Sequence, residues 1–137
     1  MMINFIKIGD INGDGMNVYI CNEKKIGHSY LYNFYTSLDS NMNTYDILSK
    51  KDELCLNYDN CVFISNFEIY EDYRGSGYGK ELLKRILDLT NTFNIEYVFL
   101  NCKINNIIAQ KLYKSFGFEK YGSNDVDDVL IYKIPKQ

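Results

Sequence analysis

The chain has 137 residues, 46% of them hydrophobic, and a formal net charge of −3. That length suits one domain, residues 1–137, large enough to bury a core of its own. The acidic balance excludes nucleic acid as a main partner, because binding a phosphate backbone requires a basic surface, and it favours a cationic partner. The sequence contains no run of about 18 apolar residues, so no membrane span is predicted. The N-terminal residues lack the order of a signal peptide, so we expect a cytoplasmic protein.

Strands open the predicted fold. Apolar and polar residues alternate over three runs, as strands require: residues 2–8, 18–21 and 26–34. In the third run Tyr30, Tyr32 and Phe34 share one face. Such an aromatic row is typical of core packing, with a substrate-pocket wall or a dimer face as the alternatives.

The loop at residues 9–17 contains an Asp-x-Asn-x-Asp-Gly sequence from Asp10 to Gly15, which is how a calcium-binding loop begins. The twelfth position of that loop is Cys21 instead of a bidentate glutamate, and strands flank it in place of helices. The sequence therefore favours a tight polar turn.

The second half of the chain alternates strands and helices. Periodicity weakens over residues 36–60, which we interpret as a mobile cover with a short helix at 44–54. The later elements are a β-branched and aromatic strand at 61–70, a helix at 80–92, a strand at 95–102, a helix at 105–116 capped by Gly117, and strands at 118–121 and 129–134. This order predicts an α/β fold in which the strands at 61–70 and 95–102 lie parallel.

The cysteines, Cys21, Cys55, Cys61 and Cys102, form no C-x-x-C pair, and His28 is the single histidine. A zinc site is not expected from this set. The thiols are interpreted as reduced and packed like small hydrophobic side chains, with a reactive Cys61 or Cys102 as the alternative.

Three alternate glycines join the strand at 61–70 to the next helix, in the sequence from Arg74 to Gly79. Glycines let backbone N–H groups approach an anion, and a helix start adds unpaired donors and a positive dipole end. Arg74 contributes a fixed fork of donors. The ligand is therefore predicted to be a nucleotide or a phosphorylated cofactor.

Two common phosphate loops do not match this segment. A Walker A loop requires Gly at position 74 and a hydroxyl after Lys80, where the chain has Arg74 and Glu81. The dinucleotide fingerprint G-x-G-x-x-G does not fit glycines spaced by two throughout.

Two linked motifs resemble the GNAT superfamily of N-acetyltransferases. Its cofactor signature, Gln or Arg, two variable residues, Gly, one variable residue, then Gly or Ala, is matched by Arg74, Gly77 and Gly79. Its second signature, Asn-x-x-Ala-x-x-x-Tyr-x-x-x-Gly-Phe, is matched from Asn106 to Phe118. The resemblance implies an α/β (α+β) fold with a mixed, mostly antiparallel sheet, in which a central parallel strand pair splays around the cofactor and helices flank the sheet.

The resemblance further implies acetyl-CoA as cosubstrate and no metal. The acetyl group would pass to a primary amine of a small molecule or peptide by direct attack in a ternary complex. The pyrophosphate is expected on the loop residues Arg74, Gly75, Ser76, Gly77, Tyr78, Gly79 and Lys80. Phe67 and Ile69 would pair with the pantetheine arm through backbone groups that point the same way. Asn106 would hold the cofactor by its side-chain amide or, alternatively, cap its helix.

The same resemblance makes Tyr113 the acid that protonates the leaving thiolate, since a phenol with a pKa of about 10 lies near a thiol at about 8.5. A core aromatic is the alternative. A backbone N–H near Ile69 is the expected oxyanion donor. Glu68 is the candidate base, or else a solvated carboxylate on the face opposite Phe67, and His28 is a weaker third choice.

The chain also departs from the family pattern. The family places two helices between its first two strands, and residues 9–17 leave no room for them. The acceptor wall is then expected from residues 36–60 or from a partner subunit in a homodimer. A non-catalytic acyl-CoA sensor or scaffold is the alternative function, and an unrelated nucleotide-binding module is the third. Asp125, Asp127 and Asp128 are placed in the last loop, where they attract a cation or are simply solvated.

Overall fold

A computed structural model describes residues 2–33 and 60–135 of the chain. Phe34, Cys55 and the helix predicted at 44–54 lie outside these ranges. The strands are β1 (Asn4–Asp10), β2 (Gly15–Asn22), β3 (Lys24–Asn33), β4 (Cys61–Ile69), β5 (Tyr97–Lys103), β6 (Glu119–Ser123) and β7 (Asp127–Lys133). The helices are α1 (Tyr78–Thr92) and α2 (Ile107–Ser115), with a 3-10 turn at Glu71–Tyr73.

Within the described residues the strands form one sheet in the order β1-β2-β3-β4-β5-β7-β6. Every neighbouring pair is antiparallel except β4 and β5, which are parallel and are joined by α1. The predicted fold class, including the central parallel pair, is confirmed.

The parallel pair separates partway along its length. Pairing between β4 and β5 runs from Cys61 opposite Tyr97 to Ile64 opposite Leu100, and then it stops. β4 continues to Ile69 and β5 continues to Lys103 without pairing to each other. A wedge-shaped gap therefore opens between the two central strands.

A bulge in β4 lies at the mouth of this gap. Tyr30 pairs with Ser65 and His28 pairs with Glu68, so that Asn66 and Phe67 together lie opposite the single residue Ser29. Asn66 takes the left-handed conformation, with φ of 50°. The extra residue shifts the alternation of β4, as bulges do.

The core is divided between the two faces of the sheet. On the inner face, which α1 and α2 cover, the buried α1 side chains Leu82, Leu83 and Ile86 belong to the same cluster as Tyr113 and Phe118. On the opposite, outer face, a second cluster contains Tyr32, Cys61, Phe63, Phe99 and Val129. Burial on both faces explains why the central strands are apolar at consecutive positions.

The aromatic row of β3 is confirmed as core packing at Tyr32. Its side chain is 5% exposed, and its ring stacks on that of Phe63 with centroids 5.4 Å apart. Tyr30 is partly buried on the same face, and its hydroxyl donates a hydrogen bond to the carbonyl oxygen of Asp14.

The segment between β1 and β2 is the tight polar turn that the sequence favours. The side chain of Asp10 accepts a hydrogen bond from the backbone N–H of Asn12 (3.0 Å), and its carbonyl oxygen accepts one from Gly13 (3.0 Å). Ile11 folds back into the core. Neither helix in the described part of the chain is long and apolar enough to cross a membrane.

Candidate functional site

The gap between β4 and β5 contains a partly open cavity of about 120 Å³. Its walls come from three neighbouring strands, β3, β4 and β5: Tyr32, Phe63, Ile64, Ser65, Asn66, Leu100 and Asn101. The cavity therefore begins at the last paired residues of the parallel strands and extends along the bulge.

Beyond the bulge, β4 presents an open backbone edge to the gap. The N–H of Tyr70 donates to the carbonyl oxygen of Ile26 on β3 (2.9 Å), so the backbone groups of Glu68 and Tyr70 face β3. Those of Phe67 and Ile69 face the other way, as predicted, where no strand of the described part of the chain pairs with β4. The carbonyl oxygen of Ile69 already accepts a hydrogen bond from Nε of Arg74 (2.8 Å), which ties the glycine turn to this edge.

The glycine turn exposes a row of backbone donors. Among the described residues, no backbone carbonyl accepts from the N–H groups of residues 75–80. The first hydrogen bond of α1 runs from the N–H of Glu81 to the carbonyl oxygen of Gly77 (3.2 Å), and no described side chain caps the N-terminus of the helix. This array of unpaired N–H groups at a helix start is suited to an anion.

The three glycines of the turn have different reasons to be glycine. Gly75 and Gly77 both have φ of 85°, which disfavours a side chain, and a Cβ on either would meet no described residue within 4 Å other than its chain neighbours. Gly79 is helical, and a Cβ there would lie 3.4 Å from Cδ2 of Leu112 on α2. Because Gly77 adopts the left-handed conformation as the N-cap, α1 begins at Tyr78, two residues before the predicted start.

Tyr113 lies on α2 behind the open edge of β4. Its side chain is 6% exposed and meets the rings of Phe67 and Phe118 edge-on, each at a centroid distance of 5.8 Å. Burial, with a smaller contribution from Cys102, raises the pKa of Tyr113 above its ordinary value of 10.0. The hydroxyl is therefore a permanent donor at neutral pH but a weaker acid than the sequence argument assumed.

Asn106 is the N-cap of α2. Its Oδ1 accepts a hydrogen bond from the N–H of Ala109 (3.1 Å). This is the capping alternative, and it leaves the amide NH₂ of the side chain as a separate donor. At the other end of α2, Gly117 has φ of 106° and follows the last turn, as predicted.

Glu68 is exposed on the outer face, opposite His28. It lies two residues past Asn66, which lines the cavity. The structure thus places this carboxylate beside the gap but in solvent, and its role as a base stays a prediction.

The prediction for the last loop was wrong for Asp127 and Asp128, which belong to β7. Asp128 is 8% exposed and accepts a hydrogen bond from Nε2 of Gln110 (3.2 Å), which also donates to the carbonyl oxygen of Lys103 (3.3 Å). Gln110 lies one helical turn before Tyr113, so it ties the tyrosine helix to β5 and β7. Sequence reasoning missed Gln110, because nothing in the local pattern indicates a buried partner 18 residues away.

The described cysteines, Cys21, Cys61 and Cys102, are all buried. Burial, then Glu96, raises the pKa of Cys61 to about 12. Burial, then Asp128 and Asp127, raises the pKa of Cys102 to about 11. Both thiols stay protonated at neutral pH, which favours the packing interpretation over a reactive nucleophile.

Known proteins resemble this chain at the level of both sequence and fold. The family model described as the acetyltransferase (GNAT) family matches residues 19–118. Spermine/spermidine N(1)-acetyltransferase of Bacillus subtilis (strain 168) is 37% identical over 65 residues, which is 47% of this chain and 43% of that protein. N-acetylaspartate synthetase of Homo sapiens is 31% identical over 67 residues, 49% of this chain and 22% of that protein. The matches thus span less than half the length of these curated relatives.

Two solved structures illustrate the shared fold. The ribosomal-protein-S18-alanine N-acetyltransferase from Escherichia coli has a TM-score of 0.69 at 14% identity, covering 99% of this chain and 96% of that one. The PaiA N-acetyltransferase from Thermoplasma acidophilum, solved in complex with coenzyme A, has a TM-score of 0.63 at 14% identity, covering 85% of this chain and 59% of that one.

Proposed function

The chain belongs to the acetyltransferase (GNAT) family, and on that premise we propose that it transfers the acetyl group of acetyl-CoA to a primary amine of a small molecule or peptide. One observation carries the proposal: among the described residues the edge of β4 at Phe67 and Ile69 is unpaired, Arg74 ties the glycine turn to Ile69, and the buried Tyr113 packs against Phe67.

The residues present fit acetyl-CoA. Within the described ranges, the N–H groups of residues 75–80 have no backbone partner and are available to hold a pyrophosphate, and no side chain fills the space beside Gly75 and Gly77. The backbone groups of Phe67 and the N–H of Ile69 provide strand-like partners for an amide-bearing arm. Acetyl-CoA supplies a thioester, which is an acetyl group activated for transfer to a nucleophile.

The chain's own groups would then manage protons and charge. Glu68, directly or through water, would take a proton from the substrate ammonium, because an alkylamine with a pKa of about 10.4 is charged at neutral pH. A backbone N–H near Ile69 would donate to the oxygen on which negative charge develops. Tyr113 would donate its hydroxyl proton towards the leaving thiolate.

The relatives support an amine acceptor without selecting one. Their names refer to spermine and spermidine in one case and to an alanine of a ribosomal protein in another. These acceptors have an amine in common and little else, so the proposed function is limited to amines.

Thermal unfolding with candidate ligands tests the cofactor. Acetyl-CoA at about 100 times its Kd should stabilise the fold by about 2.7 kcal/mol, whereas NAD and ATP should not. Release of free thiol should then follow addition of an acceptor from a panel of polyamines, amino sugars, amino acids and peptide N-termini. Stabilisation without thiol release would indicate the sensor or scaffold instead, and equal stabilisation by ATP would indicate a nucleotide-binding module.

Two substitutions at Asn106 separate its capping role from a cofactor role. Asn106→Asp keeps an oxygen for the N–H of Ala109 but loses the amide donor, so we expect unchanged stability and a severalfold weaker affinity for CoA. Asn106→Ala should also lose about 1 kcal/mol of unfolding free energy. Urea unfolding and calorimetric titration with CoA measure the two effects. If Asn106→Asp bound CoA as tightly as the wild type, the role of Asn106 would be limited to capping the helix.

A further inference from the structure

A group of aromatic side chains surrounds Glu68 on the outer face of the sheet. Tyr19 lies opposite His28, and His28 lies opposite Glu68, so the three side chains form a row across β2, β3 and β4. Tyr70 follows two residues after Glu68, and its hydroxyl shares a hydrogen bond of 2.8 Å with Nδ1 of His28. The ring centroids of Tyr19 and Tyr70 lie 6.2 Å and 5.5 Å from that of His28.

An ammonium group of the chain already lies over one of these rings. Nζ of Lys25 lies 4.1 Å from the centroid of the Tyr19 ring, which is a cation–π contact. The chain thus shows with its own lysine that this surface accepts an alkylammonium.

The same surface has an uncompensated negative charge. Glu68 is exposed and forms no ion pair with any residue in the described ranges. Burial, then Tyr19, then Glu68, raises the pKa of Tyr70, which indicates that these groups lie within electrostatic reach of one another. A carboxylate beside aromatic rings is the arrangement that recognises organic cations.

The surface is continuous with the cavity between the central strands. Tyr32 and Phe63 line that cavity from the same outer face. At about 3.3 Å per extended residue, Glu68 lies at most roughly 7 Å along the chain from Asn66, and Tyr70, directly after β4, lies at most roughly 13 Å from it. One linear molecule could therefore place an amine in the cavity and a second charge among the rings.

We propose that Tyr19 and Tyr70, beside Glu68, form a subsite for a second ammonium of the acceptor, which makes linear diamines and polyamines the preferred substrate class. This inference rests on the proposed function. Glu68 lies nearer the cavity, where its carboxylate attracts the dication as it enters and then takes the proton of the reacting amine, and the tyrosine rings hold the distal cation.

The test compares each α,ω-diamine in a chain-length series with the monoamine of the same length. We expect a wild-type kcat/KM at least about tenfold higher for diamines long enough to reach the rings, mainly through a lower KM. Tyr19→Leu should reduce that advantage roughly two- to tenfold and leave monoamines unaffected, whereas Tyr19→Phe should retain it. Equal kcat/KM for diamines and monoamines would overturn the subsite while leaving acetyl transfer intact.

Lys25 and its neighbour Lys24 give a matched pair of variants. Lys25→Ala removes the ammonium that competes for the Tyr19 ring, so diamine KM should fall about two- to fivefold. Lys24→Ala removes the same charge from an adjacent exposed residue and should have little effect. If both variants changed the diamine KM equally, the change would be due to the protein's net charge and would contradict the subsite.

Calorimetric binding of the diamines to the CoA-bound protein gives a readout that does not depend on turnover. If no amine is acetylated, the proposed function fails, and the subsite is judged by binding alone. It stands if Lys25→Ala strengthens and Tyr19→Leu weakens diamine binding, and it falls if neither variant changes it.

Discussion

Replacing Gly77 by alanine is expected to weaken binding of acetyl-CoA about tenfold. Gly77 has φ of 85°, and holding an alanine in the left-handed region costs about 1–2 kcal/mol. A ligand-free variant can relieve that strain by turning the peptide units of the glycine turn, because no described residue other than its chain neighbours lies within 4 Å of the new Cβ. Binding must then restore the original conformation, and 1.4 kcal/mol corresponds to a factor of ten in Kd.

Gly79→Ala is the matched control for this prediction. Gly79 is helical, and its new Cβ would make an ordinary contact of 3.4 Å with Leu112, so we expect near-normal affinity and stability. Calorimetric titration with CoA and urea unfolding of both variants provide the comparison. Equal affinities in the two variants, or a loss confined to Gly79→Ala, would contradict a role for the left-handed turn.

Local sequence signals were sufficient for the parts of the site that depend on backbone conformation. Glycines at alternate positions between an apolar strand and an amphipathic helix predicted the donor row, and the structure has left-handed φ values at Gly75 and Gly77. The parallel central pair followed from a strand-helix-strand order, because the helix carries the chain back along the sheet and the second strand then runs in the same direction as the first.

Features that depend on contacts between distant residues were not predictable in the same way. The bulge at Asn66 arises where β4 pairs with β3, and a hydrogen bond of 2.7 Å from Oγ of Ser29 to the carbonyl oxygen of Ser65 supports it. Asparagine tolerates a positive φ, but an asparagine within a strand sequence does not by itself predict a bulge. Likewise, Asp128 resembled a solvated loop residue because its partner Gln110 lies on another element.

The acidity of Tyr113 was also predicted incorrectly from the sequence, because its pKa was taken as that of a free phenol. A motif position specifies a phenol, whereas its pKa is set by the side chains that exclude water from it, here including Phe67 and Phe118. A hydroxyl with a raised pKa transfers its proton less readily to a thiolate than a free phenol does. The expected contribution to the reaction is therefore a hydrogen bond that strengthens as negative charge develops on sulfur.

Tyr113→Phe is expected to lower kcat about 100-fold and to leave CoA affinity within about twofold. The substitution keeps both edge-on ring contacts and removes a hydroxyl that has no hydrogen-bond partner among the described residues, so unfolding free energy should change by less than about 0.5 kcal/mol. Stopped-flow or steady-state thiol release gives kcat, and calorimetry gives the affinity.

Tyr132→Phe is the matched control, since Tyr132 also contacts Phe118, at a centroid distance of 5.3 Å, and has no assigned role. Because the pKa of Tyr113 is raised above 10.0, the hydroxyl stays protonated as pH rises towards 10, and its ionisation should produce no alkaline loss of wild-type activity in that range. The wild type and Tyr113→Phe should therefore show parallel pH profiles that differ by a constant factor. A kcat unchanged by Tyr113→Phe, or equally reduced by Tyr132→Phe, would mean that the tyrosine serves only to pack the helix against β4.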